Sequence, residues 1–262
     1  MTIATRSAST KQAPGDATRR TALVAGILYL LTFASSIPAA LLLSSNLGDS
    51  GYIAGADGQI RLAALLDIVN GLTAIGTAVA LYSVLKRVHE GFAIGFVASR
   101  LFEAAILFIG IVSVVTLANL GQAAATTDAS AVAGGASLVA MYKTSFVLGT
   151  GIPALNAFLL GWLLYRSGLV PRVIPVIGLI GAPLFTSWII GYIFGITEGG
   201  TAWHAIGVAP IFVWELSLGL WMAFKGFRAP AVAALGFNAA DTDEAGTAIT
   251  APAAMATKAG AA

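Results

Sequence analysis

Six runs of the chain, at about residues 21–43, 60–85, 92–117, 138–164, 173–196 and 205–226, are long and apolar enough to narrow the fold to one class. A bilayer core of about 30 Å takes ~20 helical residues. Inside lipid every backbone N–H and C=O must be satisfied by the segment itself, which leaves helices and closed barrels. No period-2 alternation marks barrel strands, so the runs read as helices. Composition agrees. Apolar residues make up 58% of the 262 and charged residues 10%, against roughly 45–50% and 25% in soluble domains. The mean hydropathy is +0.88. The expected fold class is all-α, a polytopic transmembrane helical bundle of six spans. This composition excludes nucleic-acid binding and a soluble nucleotide-binding fold. With no Cys, the chain has no disulfide, thiolate metal site or cysteine nucleophile.

The charges outside the runs are sorted by side. The basic residues Arg6, Lys11, Arg19, Arg20, Lys86, Arg87, Arg166, Arg172, Lys225, Arg228 and Lys258 fall before span one, after span six, or in the second–third and fourth–fifth connections. That is eleven of the 14 Lys and Arg. The connections 44–59, 118–137 and 197–204 have none, and carry Asp49, Asp57, Asp128 and Glu198. The positive-inside rule then predicts both termini in the cytoplasm, as an even span count requires of termini that share a side. Trp162, Tyr165 and Tyr82 fall near the expected inner boundary and Tyr52, Tyr142 and Trp203 near the outer one, the depths that amphipathic rings prefer. Span one is expected to be retained: its apolar run exceeds the 7–15 residues of a signal-peptide core, and Ser35-Ser36-Ile37-Pro38-Ala39 is a poor cleavage site. Residues 1–18 and 229–262 read as disordered cytoplasmic flanks, polar or Ala-rich. They bracket a transmembrane domain at 19–228.

Six charged residues lie within the runs: Arg61, Arg100, Lys143, Asp67, Glu103 and Glu215. A charge at bilayer centre costs ~3 kcal/mol or more, so such groups face the bundle interior and pair. At 1.5 Å rise per residue, Glu103 and Glu215 lie ~17 and ~15 Å along their spans, close to midplane. Arg100 shares a face with Glu103 at i, i+3. Arg100, Glu103 and Glu215 are therefore the candidate buried polar site. One Arg cannot neutralise two carboxylates in a low-dielectric site. The expectation is that Arg100 pairs one of them and the other holds a proton. Arg61, Asp67, Asn70 and Lys143 form a second candidate cluster in the outer third, with Asp67, Asn70, Thr73 and Thr77 on one helical face. Each set has a structural alternative. Arg61 and Lys143 can snorkel to the headgroups, and Arg100 with Glu103 can simply fix packing.

Other chemistry is missing. The two His, His89 and His204, fall on opposite sides of the membrane in this topology. Neither a shared metal site nor a His-dependent triad is expected, and no catalytic residue, metal ligand or cofactor is assigned. Gly149-Thr150-Gly151 with Ala154 mimics a dinucleotide fingerprint but lies in an apolar span and follows no strand. Gly91/Gly95 and Gly191/Gly195 have small-xxx-small spacing and are read as intramolecular contacts. Pro153, Pro175 and Pro183 can kink or interrupt spans four and five.

Several stretches carry a family resemblance: Arg20–Phe33, Ile75–Tyr82, Ala98-Ser99-Arg100-Leu101-Phe102-Glu103, Leu163–Arg172 and Trp214–Gly219. Tyr165-Arg166-Ser167-Gly168-Leu169-Val170-Pro171-Arg172 is the most distinctive of them. Over roughly residues 19–228 the chain resembles the bacterial membrane proteins grouped as domain of unknown function 4386. Asp67 stands where that family is expected to have Glu. The resemblance implies a multi-pass protein of the bacterial cytoplasmic membrane, and no activity or substrate. The first function expected is a small transporter or channel-like carrier built on the midplane charges, with an unidentified small-molecule ligand. The alternative is a non-catalytic membrane sensor or assembly module in which those charges fix helix packing. An intramembrane lipid enzyme comes last, since two carboxylates define no reaction. Membrane lipid is the expected partner, and nucleic acid is not.

Overall fold

In a computed structural model, the description covers residues 14–48, 51–52, 56–123 and 129–237. They form helices α1 (Pro14–Asn46), α2 (Asp57–Leu85), α3 (Glu90–Ala123), α4 (Ala129–Gly151), α5 (Pro153–Ser167), α6 (Val173–Ile193), α7 (Ala202–Phe224) and α8 (Ala229–Ala234). A two-residue antiparallel pair, β1 (Leu47–Gly48) with β2 (Gly51–Tyr52), sits between α1 and α2. The long helices pack as a closed circuit: α1 on α2, α2 on α3, α3 on α4 and α5, α5 on α6, α6 on α7, and α7 back on α1.

Five stretches are long and apolar enough to cross a membrane: Ala17–Asn46, Asp57–Leu120, Ala133–Ser167, Val173–Ile193 and Ala202–Phe224. The second spans 64 residues and folds back at Lys86–His89 into α2 and α3. The bundle thus has six crossings, and the chain is a multi-pass membrane protein. Span four is one crossing made of two helices. Pro153 has no N–H to give the preceding turn, yet Ile152 keeps right-handed helical backbone (φ −63°, ψ −30°). The result is a kink and not an unwound segment.

Two buried apolar clusters fill the bundle. The larger runs through α1, α2, α3, α5, α6 and α7 around Tyr29, Phe96, Leu160, Trp188 and Trp214. The smaller joins only α1 to α4, around Leu43, Ile60, Val114 and Tyr142. Glycines set the closest crossings. A Cβ on Gly219 of α7 would stand 2.9 Å from Tyr29 Cβ of α1. One on Gly178 of α6 would stand 2.6 Å from Trp214 Cδ2 of α7. Such contacts exclude any larger residue and let backbones approach. By contrast Gly195, with φ +67°, lies just past α6, beyond its packed face. The small-xxx-small reading therefore does not hold for that residue.

Both flanks differ from expectation at their inner ends. Helix α1 begins at Pro14, within the segment read as disordered, and α8 occupies 229–234 in the other. Val232 of α8 is buried against the large cluster, and Arg228 N–H donates to Leu169 C=O at 2.9 Å. That anchor gives a short Ala-rich segment something to fold on. Residues 1–13 and 238–262 lie outside the described residues.

Candidate functional site

Arg100, Glu103 and Glu215 meet inside the bundle. The periodicity of α3 puts Arg100 and Glu103 one turn apart on its inward face. Their pair is formed by Arg100 Nη1 and Glu103 Oε2 at 3.0 Å. Glu215 reaches the same guanidinium from α7, with Arg100 Nη2 to Oε1 at 2.8 Å. Arg100 thus pairs both carboxylates, one on each terminal nitrogen, where the sequence pointed to one. Arg100 Nη2 also donates to Tyr29 Oη of α1 at 3.0 Å. The Arg100 side chain is 2% exposed and that of Glu215 12%.

Sequence reasoning missed three participants. Asn156 of α5 donates from Nδ2 to Glu103 Oε2 at 2.7 Å, and its Oδ1 accepts from Ser99 Oγ of α3. Tyr29 closes the set from α1. Four helices therefore contribute to one hydrogen-bonded network. Asn156 was legible as a lone amide in an apolar stretch of span four. Tyr29 gave no such signal, since aromatic residues are common in spans.

The crossing of α1 over α7 explains why Tyr29 and Glu215 converge. Gly26 and Gly219 let the two backbones touch, with Gly219 one turn from Glu215 and Gly26 one turn from Tyr29. Tyr29 and Phe96 flank the guanidinium, with ring centroids 5.3 and 5.7 Å from Arg100 Cζ. Arg100 Nε and Trp214 Nε1 of α7 are buried without a hydrogen-bond partner among the described residues.

The outer-third residues do not come together in this way. Arg61 Nη2 donates to Asn119 Oδ1 of α3 at 2.8 Å, Lys143 is exposed, and Asn70 is half-buried. Asp67 is buried and lies within electrostatic reach of Tyr142. The polar face of α2 does turn inward: Thr73 Oγ1 lies 3.4 Å from Thr32 Oγ1 of α1, and Thr77 Oγ1 donates to Thr73 C=O at 2.7 Å.

Chemically, the midplane network holds two carboxylates against one guanidinium. It can bind a proton, and it can lock helices, but both carboxylates are already engaged. No group of three or more His, Cys, Asp or Glu among the described residues could hold a metal ion. A large apolar groove of about 880 Å³ opens at the α4–α5 kink, between Phe102, Ile106, Phe158, Pro183 and Ile189. None of the network residues lines it.

The model of a family described as "domain of unknown function (DUF4386)" matches residues 24–226. No curated protein and no solved structure matches the chain.

Proposed function

The chain belongs to the DUF4386 family, and from that premise we propose that it is a non-catalytic membrane module, for assembly or sensing, in the bacterial cytoplasmic membrane. One observation carries this reading. Arg100, 2% exposed, is held by groups from α1, α3 and α7, while Glu103 is held further by α5. A carrier needs its charged site open to water from one side at a time. A network whose members mostly satisfy one another suits a fixed packing key instead. Buried ionic groups are known to specify register in this way. The basic end of the bundle faces the cytoplasm in this reading.

A second reading, the small carrier, has its own support. Two carboxylates share one guanidinium, and Arg100 Nε and Trp214 Nε1 lack partners among the described residues. Intramembrane carboxylates are the usual proton relays. Purified protein in liposomes under an imposed pH gradient separates the two. The module predicts proton flux equal to that of empty liposomes. Flux that is abolished by Glu215→Gln would replace it with the carrier. Reporter fusions at Asp128 and Arg172 test the orientation, and a cytoplasmic signal at Asp128 would overturn it.

A further inference from the structure

Eight basic residues gather at one end of the bundle: Arg19, Arg20, Lys86, Arg87, Arg166, Arg172, Lys225 and Arg228. The same segments contain the acids Asp16 and Glu90. The structure joins these segments into one surface. Arg19 Nη2 donates to Phe224 C=O at 3.1 Å, tying the start of α1 to the end of α7. Arg87 Nη1 donates to Gly236 C=O at 3.1 Å, and its guanidinium lies 3.9 Å from the Phe237 ring centroid. Arg228 N–H reaches Leu169 C=O. Loops distant in sequence therefore share one face.

Arg19 and Arg87 spend their donors on carbonyls. Lys86, Arg166, Arg172, Lys225 and Arg228 are exposed and form no ion pair with a carboxylate among the described residues. Their neighbours fix the depth at which they sit. Phe224, next to Lys225, is 72% exposed; Val173, next to Arg172, is 66%; Tyr165, next to Arg166, is 41%. Large apolar side chains so exposed belong in hydrocarbon, so the adjoining cations stand at the headgroup layer. Aromatic rings brace three of them: Lys86 over Tyr82 at 5.8 Å, Arg166 over Trp162 at 5.6 Å and Arg172 over Tyr165 at 5.5 Å. The corner between Arg166 and Arg172 is rigid. Gly168 turns the chain at φ +65°, and Leu169 and Val170 are wholly buried.

We propose that this end of the bundle is a binding surface for anionic phospholipid headgroups, with Arg166 and Arg172 at the α5–α6 corner as its most ordered contacts. Charge complementarity selects the ligand's sign. The apolar collar beside the cations selects a lipid over a soluble acidic macromolecule. The inference is independent of whether the midplane network locks or carries.

The test compares lipid retention by the full chain, by native mass spectrometry from detergent containing phosphatidylglycerol and phosphatidylcholine in equal amounts. The expected result is preferential retention of phosphatidylglycerol, lost as salt is raised. Arg166→Gln/Arg172→Gln should lower that preference about fivefold for each charge removed, the effect of one basic residue at an anionic surface. An unchanged melting temperature in the double variant shows that it is folded; Lys225→Gln/Arg228→Gln serves if it is not. Equal retention of the two lipids by the unmodified chain would overturn the proposal. So would a preference that survives in a folded variant.

Discussion

The midplane and the outer third contain the same kinds of residue and treat them differently. At midplane, Arg100, Glu103 and Glu215 converge with Tyr29 and Asn156 into one buried network. In the outer third, Arg61 bonds Asn119, Lys143 is exposed, and Asp67 turns inward. Depth accounts for the difference. A long cation within two turns of the headgroups reaches water by snorkelling. Near the midplane, about 15 Å from either headgroup layer, there is no such exit, and the charge must find its partners inside the protein. For the cations, convergence at one depth and dispersal at the other follow from the cost of solvation.

Substitutions should separate the two regions by size of effect. The largest loss is expected for Arg100→Ala, which strands two carboxylates and should cost about 3–5 kcal/mol, the range seen when one partner of a buried pair is removed. Thermal unfolding in detergent measures it. Gly219→Ala comes next: its methyl would collide with Tyr29 Cβ, and overpacking of this kind costs roughly 1–3 kcal/mol. Tyr29→Phe removes one acceptor from Arg100 Nη2 and should lower stability by about 1 kcal/mol. At the other extreme, Lys143→Ala should stay within about 0.5 kcal/mol, as exposed substitutions do, and Arg61→Ala, which loses one bond from a half-buried side chain, within about 1 kcal/mol. An outer-third variant as costly as Arg100→Ala would erase the contrast.

Much of this architecture was readable from run lengths alone, because six apolar stretches of more than 20 residues admit few alternatives in lipid. The kink at Pro153 was readable as a possibility, since proline removes a helical hydrogen bond wherever it falls. That the helix bends there without unwinding depends on its packing against α3 and α6. The meeting of α3 with α7 at Arg100 followed from shared depth and charge. Tyr29 and Asn156 could not be placed the same way, because their roles depend on which faces of α1 and α5 turn inward. Those faces are set by Gly26 and Gly219 on one crossing, and by Gly161 against Leu179 on another. Helix α8 was hidden by its Ala-rich composition: nothing local announces that Val232 has a core to bury in.

Coupling between Arg100 and Glu215 tests the central claim most directly. Melting temperatures in detergent of Arg100→Ala, Glu215→Gln and the double variant complete a mutant cycle. The network predicts a large loss for Arg100→Ala and a small one for Glu215→Gln, whose amide oxygen still accepts from Nη2. It also predicts that the double variant is more stable than Arg100→Ala, because one of the two stranded carboxylates is gone. Small, equal losses that add in the double variant would contradict it.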